Sequence, residues 1–555
     1  MKRAADPNSG RKPTKVGAPF LLDDALPPYN FALHERAGNP EQLPMTERAE
    51  SDFLPTGGPP CKWRLGCALL ALFVLVCGAR LWLIDTCGSS APFWDQWEAE
   101  GEALFAPLLQ GNLPLSHLFA PHNEHRIVLT RLLALGLFKL DGMWDPRLEM
   151  AVNAAIAAAT AAIVAGLLLR EIGRRWWRSV ICAVAILWAL PYAWENTTWG
   201  FQSQFYFLLL FSFLAMWGLC CGRPYTLAWW IGAASAILSC LTMASGFLAP
   251  LVVLLVLAAA VLLERKTWRM HLPGFMLCLL CVVASALLMV QVPKHEALRA
   301  AGLHYFLLAF IRNLSWPGHQ LPTAFVALLC LVFFMARALI RRPSQQPRPR
   351  WFLLGLAVWV ALQAGALAYA RGRLGAGPGS RYQDVLALGP LVALAALLLE
   401  SGSLRRNIWY AALAGWCVCM LPGLRENFRD TRKDLPRQRH YAAEQTRRCR
   451  AYVKTRDFEV LRHTADRMEI PYPNPEDLAR FLDNPEIRST LLFVPGQEDK
   501  AGWPTHLARA LLWASRWIFL LGLLGLIAAL WPPRVAKGAA TPVEGDKGTP
   551  DRRIR

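Results

Sequence analysis

The chain has 555 residues, of which 54% are apolar or aromatic and only 18% charged, and its formal net charge is +19. This excludes an ordinary soluble domain, because the apolar residues cluster in runs of about twenty, the length a helix needs to cross hydrocarbon. It also argues against a nucleic-acid partner: Lys and Arg sit mainly in short loops between the apolar runs, which is the pattern of membrane topology.

Residues 1–62 are rich in Pro, Gly and charge and have no sustained hydrophobic period, so they read as a disordered cytoplasmic tail. No apolar segment with a small-residue cleavage site precedes the first span, which argues against a signal peptide. Candidate spans follow near 65–84, 148–169, 179–193, 202–221, 225–243, 246–263, 272–292, 322–340, 351–370, 384–400, 407–423 and 507–530. The fold class expected is therefore all-α, a polytopic bundle of about twelve transmembrane helices. With the N-terminus cytoplasmic, the basic loops at 170–178, 264–269, 341–350 and 404–406 all fall on that side and satisfy the positive-inside bias. Both termini are then cytoplasmic, with 531–555 a second loose tail.

The transmembrane core runs over 63–423, with a first external loop at 85–147. A soluble segment at 424–506 is placed outside, before the last span at 507–530. In that segment 461–468 and 475–482 read as short helices flanking a Pro-rich turn. Fourteen cysteines lie mostly in or beside apolar runs, where they act as small core residues, and no metal or redox scaffold built on them is expected. Cys87 and Cys449 alone look external, and a disulfide between them is open to test.

Polar residues gather at three external places. The first, Trp94-Asp-Gln-Trp97 followed by Glu98, holds Asp95 between two indoles at the membrane surface, where partial desolvation would favour a general base. Trp94 and Trp97 alone would be interfacial anchors, and Asp95 alone a helix cap. Further on, His122-Asn-Glu-His-Arg126 leads into an interfacial helix over 127–140. At helical spacing His122, His125 and Arg126 share a face, with Glu124 turned aside. Such a cluster could bind phosphate, relay protons or join Asp95 on a divalent cation, and the spacing does not choose.

The second place is Trp194 to Gln204, where Glu195, Asn196, Gln202 and Gln204 line a cavity or solvate a tight connection. Asn196 and Asn313 each open a glycosylation sequon. The third is Arg371 to Tyr382, a Gly-rich connection that places Arg371, Arg373 and Arg381 on the external side against the charge bias. Planar guanidinium groups there suit a lipid-linked phosphate, or ordinary anionic headgroups.

An external Asp after the first span, interfacial helices in the first loop and a late external Arg together resemble the GT-C superfamily of polytopic glycosyltransferases. The Trp94-Asp-Gln-Trp97, His122-Asn-Glu-His-Arg126, Trp199-Gly-Phe-Gln202 and Ser380-Arg-Tyr382 strings are similar to those of uncharacterised bacterial relatives, over about residues 65–423. The resemblance implies transfer of a sugar from a polyprenyl-phosphate carrier to a glycan or lipid acceptor at the periplasmic face of a bacterial inner membrane, with inversion. It implies Asp95 as catalytic base, with Glu98, Glu124 or His125 assisting or replacing it. Arg371, Arg373, Arg381 and Tyr382 would hold the lipid phosphate, and Trp94, Trp97, His122, Arg126 and Gln202 complete the substrate site. No cofactor is certain. A divalent metal is left open, although the first loop has no Asp-Asp or Asp-x-Asp pair, a departure that counts against direct metal dependence. Two other classes remain: a transporter or flippase, weakened by the lack of a clear internal repeat and by few ionisable residues within spans, and a non-catalytic envelope assembly protein using 424–506.

Overall fold

The computed structural model describes residues 61–263, 268–318, 348–402 and 404–532. Within these, every regular element is helical, and the only β-pairings are isolated bridges of His122 with His125 and of Trp144 with Leu491. The first apolar run forms α1 (Lys62–Cys87). A wide π-helical turn (Trp97–Phe105) and α2 (Val128–Asp141) occupy the loop after it. Asp145 caps α3 (Pro146–Ile172) by accepting from the Arg147 N–H at 2.9 Å, with Pro146 at the first helical position, where its missing donor costs nothing. Next come α4 (Trp177–Ala189), α5 (Ser203–Cys221), α6 (Leu227–Cys240), α7 (Leu248–Leu263), α8 (Trp268–Leu287) and α9 (Leu303–Leu314). The remainder are α10 (Arg348–Arg371), α11 (Leu388–Leu399), α12 (Arg406–Thr455), α13 (Pro475–Asp483), α14 (Trp503–Trp513) and α15 (Ser515–Leu530).

Among the described residues, nine helical stretches are long and apolar enough to cross a bilayer, or ten if α14 and α15 form one span. The chain is a multi-pass membrane protein, but this is fewer spans than the twelve expected. The run at 225–243 yields α6, only 14 residues long, and the run at 507–530 breaks by 61° between α14 and α15. The candidate at 322–340 and the two tails, apart from a few residues at 61–62 and 531–532, lie outside the described residues.

α1 and α15 pack antiparallel in close contact. A Cβ added to Gly78 would meet the Phe519 backbone nitrogen at 2.4 Å, and one on Gly522 the Leu75 nitrogen at 2.3 Å, so only glycine permits the approach. The Arg64 guanidinium donates to the Ala529 carbonyl at 2.9 Å, which fixes the outer ends of the first and last helices at one end of the bundle. Basic residues from two of the expected loops gather there too: Arg175 donates to Ser401 at 2.8 Å and Arg350 pairs with Glu400 at 2.7 Å.

The opposite end carries a cap, and here the expected domain boundary fails. Position 424 lies inside α12, which runs unbroken for 50 residues from the bundle into the cap. Nor is 424–506 a separate body. Trp97, Phe105 and Trp144 of the first loop share one core with Cys449, Tyr452, Leu461, Phe481 and Leu482, so neither segment can bury its apolar face alone. Backbone bonds stitch the two together: Trp94 N–H to the Pro471 carbonyl and Trp144 N–H to the Thr490 carbonyl, each at 2.8 Å. The 475–482 helix forms as α13, whereas 461–468 forms only the four-residue turn Glu459–Arg462 and a short 3-10 turn.

Cys87 and Cys449 are both free thiols. Cys87 Sγ sits 3.7 Å from the Leu435 carbonyl, and Cys449 stands fourteen residues, about 21 Å, further along α12. They do not meet.

Candidate functional site

The site is built where α1 ends. Trp94 adopts a left-handed backbone (φ 48°), costly for an aromatic residue and pinned by its bond to Pro471 in the cap. The turn sends neighbouring side chains opposite ways. Asp95 enters a cavity of about 140 Å³, with Trp94 at its edge. Trp97 points into the cap core, 0% exposed, between Trp144 and Phe481. Glu98 accepts from the Tyr472 hydroxyl at 2.5 Å, also within the cap. The expected roles of Trp97 in substrate binding and Glu98 in catalysis are therefore not supported, because the π-helical turn rotates both away from Asp95.

The histidine string is not helical. His122 and His125 exchange backbone hydrogen bonds of 2.8 and 2.9 Å around a tight turn in which Asn123 has φ 49°. Glu124, expected to turn aside, instead lines the cavity with His125. His122 supports from beside it, with Nε2 3.6 Å from the Asp95 carboxylate. Arg126 faces elsewhere, donating to the carbonyls of Phe119 at 2.7 Å and Leu288 at 3.2 Å, and does not line the cavity.

The far wall comes from three more elements. The 3-10 turn Gly200–Gln202 and the start of α5 supply Phe201, Gln202, Gln204 and Phe205. The end of α10 supplies Arg371, 23% exposed, whose guanidinium lies 3.9 Å from Glu124. Arg381 and Tyr382 follow, with the Arg381 guanidinium 5.3 Å from the centre of the Tyr382 ring. Glu195 fixes this segment by accepting from the Ser380 hydroxyl at 2.6 Å and from the Arg381 N–H at 2.9 Å. Asn196 donates to the Arg381 carbonyl at 2.7 Å. The Arg381 backbone is thus held while its guanidinium makes no ion pair among the described residues. Arg373 is exposed and outside the cavity, so it is dropped from the phosphate site. Asn196 and Asn313 are buried, at 0% and 2% exposed, which rules out both sequons in the folded chain.

Electrostatics set the protonation states. Burial would raise the Asp95 carboxyl, but the His122 contact and the charges of His122 and Arg381 outweigh it, so Asp95 titrates below the usual carboxylate range. Burial, with the charges of His122 and Arg371, pushes His125 down to about 4. Its Nδ1 accepts from the Ala244 N–H at 3.0 Å, which independently identifies a neutral imidazole protonated on Nε2. Burial likewise works against the Glu124 carboxylate, but His295, whose Nδ1 is 2.6 Å from Oε1, holds it ionised below the usual range.

A second cavity of about 340 Å³ adjoins the first and shares Glu124, His125, Phe205, Met243, Arg371 and Tyr382 with it. Its remaining wall is mainly apolar, including Phe247, Leu248, Leu367, Val385 and Leu386. Sequence reasoning missed this cavity, together with His295, Met243 and Phe205. It also passed over Arg80, a charged residue in the middle of the first apolar run and so a legible signal. Arg80 lies beneath the site, pairing with Asp384 at 2.7 Å and donating to Tyr206 at 2.6 Å and Thr197 at 3.1 Å. Among the described residues, no three His, Cys, Asp or Glu side chains converge as metal ligands.

No protein-family model, curated protein or solved structure matches the chain.

Proposed function

We propose that this chain is an inverting membrane glycosyltransferase of GT-C type that takes a sugar from a polyprenyl-phosphate carrier. The observation that carries the reading is the joined pair of cavities. One is polar, with the ionised carboxylates of Asp95 and Glu124 and two arginines, and it opens onto an apolar one more than twice its volume. Such a shape suits an amphiphile with an anionic head, its chain lying along Leu248, Leu367 and Leu386 and its phosphate at the shared wall.

The chemistry follows from the charges. Asp95 accepts the proton of an acceptor hydroxyl as that oxygen attacks the anomeric carbon from the face opposite the phosphate. The bond from the anomeric carbon to the phosphate oxygen breaks, and the electron pair leaves with the lipid phosphate. Arg371 and Arg381 stabilise the charge that develops on it, Arg381 the more readily because, among the described residues, no carboxylate lies within ion-pair distance of it. His122 holds Asp95 ionised, and neutral His125 offers Nε2–H as a donor. The contact of Arg64 with Ala529 supports the first and last helices ending on one side, and Arg175 and Arg350 near that end support its being cytoplasmic, a reading in which the cavities face the periplasm.

The test is transfer by the full chain in liposomes, from a synthetic polyprenyl-phosphate sugar to cell-envelope glycan, with lipid products read by mass spectrometry. Release of polyprenyl phosphate that Asp95→Asn abolishes is expected. Full transfer by a folded Asp95→Asn protein overturns the mechanism. Passage of the intact donor across sealed vesicles without cleavage identifies a flippase instead.

A further inference from the structure

Directly behind Asp95 lies a buried polar cluster that the mechanism above does not use. The Gln96 side chain is 0% exposed, and both ends of its carboxamide are engaged. Oε1 accepts from the Phe93 N–H at 3.1 Å, closing the turn that carries Trp94 and Asp95. Nε2 lies 2.9 Å from Glu100 Oε2 and 2.8 Å from Glu149 Oε2. These two carboxyl groups come from different elements, the π-helical turn and α3, and are 1% and 5% exposed. The 3-10 turn Gly200–Gln202 closes over them: a Cβ on Gly200 would meet Glu149 Oε2 at 2.7 Å and Gln96 Nε2 at 2.8 Å. The cluster therefore joins the Asp95 turn to the segment that supplies Phe201 and Gln202 to the cavity.

No cation among the described residues lies within ion-pair distance of the pair, and the charged groups that face Glu100 and Glu149 are few. Arg131 on α2 faces Glu100, but its Nη1 is engaged by the carbonyls of His117, Leu118 and Ala120. Asp145, at the start of α3, adds negative charge. A neutral amide offers one N–H to each carboxyl, which does not offset two buried anions in contact. The low-energy arrangement keeps one proton on the pair, as in other carboxyl dyads. Burial alone also raises the Glu100 carboxyl.

We propose that Gln96 is the positioning residue of Asp95, and that Glu100 and Glu149 hold Gln96 in place by retaining a single proton between them. The claim about catalysis rests on Asp95 being the base; the claim about the proton and the turn does not. At alkaline pH the proton leaves to solvent, the two carboxylates repel and move apart, and the amide between them and the Phe93–Asp95 turn it closes lose their fixed position.

Two substrate-free measurements on the full chain in nanodiscs test the structural half. Infrared spectra of the wild type should show a protonated carboxylic acid band at neutral pH that is absent from Glu149→Gln and from Glu100→Gln. In ¹⁵N-histidine-labelled protein, the His122 imidazole shift should match the wild type in Glu149→Gln but move toward the Asp95→Ala value in Gln96→Ala. Absence of the band in the wild type, or a His122 shift unmoved by Gln96→Ala, overturns the proposal. The catalytic half is read from transfer kinetics. Gln96→Ala should lower kcat by about 10²-fold with donor KM unchanged, and the alkaline fall of wild-type activity should be missing from Glu149→Gln. An identical alkaline limb in Glu149→Gln overturns the role of the pair. If no transfer occurs with any donor while both spectroscopic results hold, the failure lies with the glycosyltransferase reading. Glu149→Gln keeps hydrogen-bonding groups of the same shape, so folding is not at stake in the decisive comparison.

Discussion

Arg80 and Arg381 lie on the same side of the molecule and reach the same short segment, yet their surroundings differ. Arg80 is 5% exposed, paired with Asp384 and bonded to Tyr206 and Thr197, with Asn196 donating to the other Asp384 oxygen at 3.1 Å. Arg381, three residues before Asp384, has a fully bonded backbone and a guanidinium that makes no ion pair among the described residues. A charge whose partners are all within the chain holds the fold. One whose backbone is fixed while its head lines a cavity is, under the proposed function, the one left to meet the carrier phosphate.

Substitutions can break this comparison, and their effects should descend in order. Asp95→Asn should cost about 10²- to 10⁴-fold in transfer with thermal stability nearly unchanged; unfolding of this variant would move Asp95 to the structural side. Arg80→Gln should destabilise the fold by about 3–5 kcal/mol because it strands buried Asp384, whereas replacing both partners by leucine should recover much of that loss. Thermal unfolding of the single and double variants checks both. Arg381→Gln should leave unfolding unchanged and weaken carrier binding by about 1.5–3 kcal/mol, measured by titration of the lipid-linked donor. Arg373→Gln should change either quantity by no more than about 0.5 kcal/mol. The acid side of the pH profile sharpens the contrast. Since the Asp95 carboxyl is depressed, transfer should persist as pH falls through the ordinary carboxylate range and fail only below it. In an active His122→Phe variant the acid limb should move upward.

Much of this was legible in the sequence. Apolar runs gave most of the helices, and Asp95, Glu124, His125, Gln202, Arg371, Arg381 and Tyr382 were singled out from short polar strings and do line one cavity. What failed did so for local or for long-range reasons. Periodicity assumed a helical register through Glu98 and through His122 to Arg126, but a left-handed Trp94, a π-helical turn and the turn at Asn123 each reset which way side chains face. Arg126 and Arg373 share composition with the site and nothing else. The cap is a long-range failure: the packing of Trp97 and Trp144 on Phe481 joins positions several hundred residues apart, and no window along the chain contains both partners. The carboxyl pair behind Asp95 was hidden for the same reason, since Glu100 falls in the first loop and Glu149 at the start of a span, unrelated until one amide is found between them.

The length of α12 has a consequence for the bilayer itself. At 1.5 Å per residue its 50 residues make a rod about 75 Å long, more than twice the thickness of a hydrocarbon core. Its far end is fastened to the cap through Cys449 and Tyr452, and the cap in turn pins Trp94. Embedded at one end and fastened to the cap at the other, the helix couples the two, with Pro422 and Pro436 inside it as the places where it can bend. Lipids of different chain length would tilt its embedded half, and the far end would carry that tilt to the turn that aims Asp95. Turnover should therefore vary with acyl-chain length in vesicles of otherwise constant composition, making the membrane a mechanical input to the site.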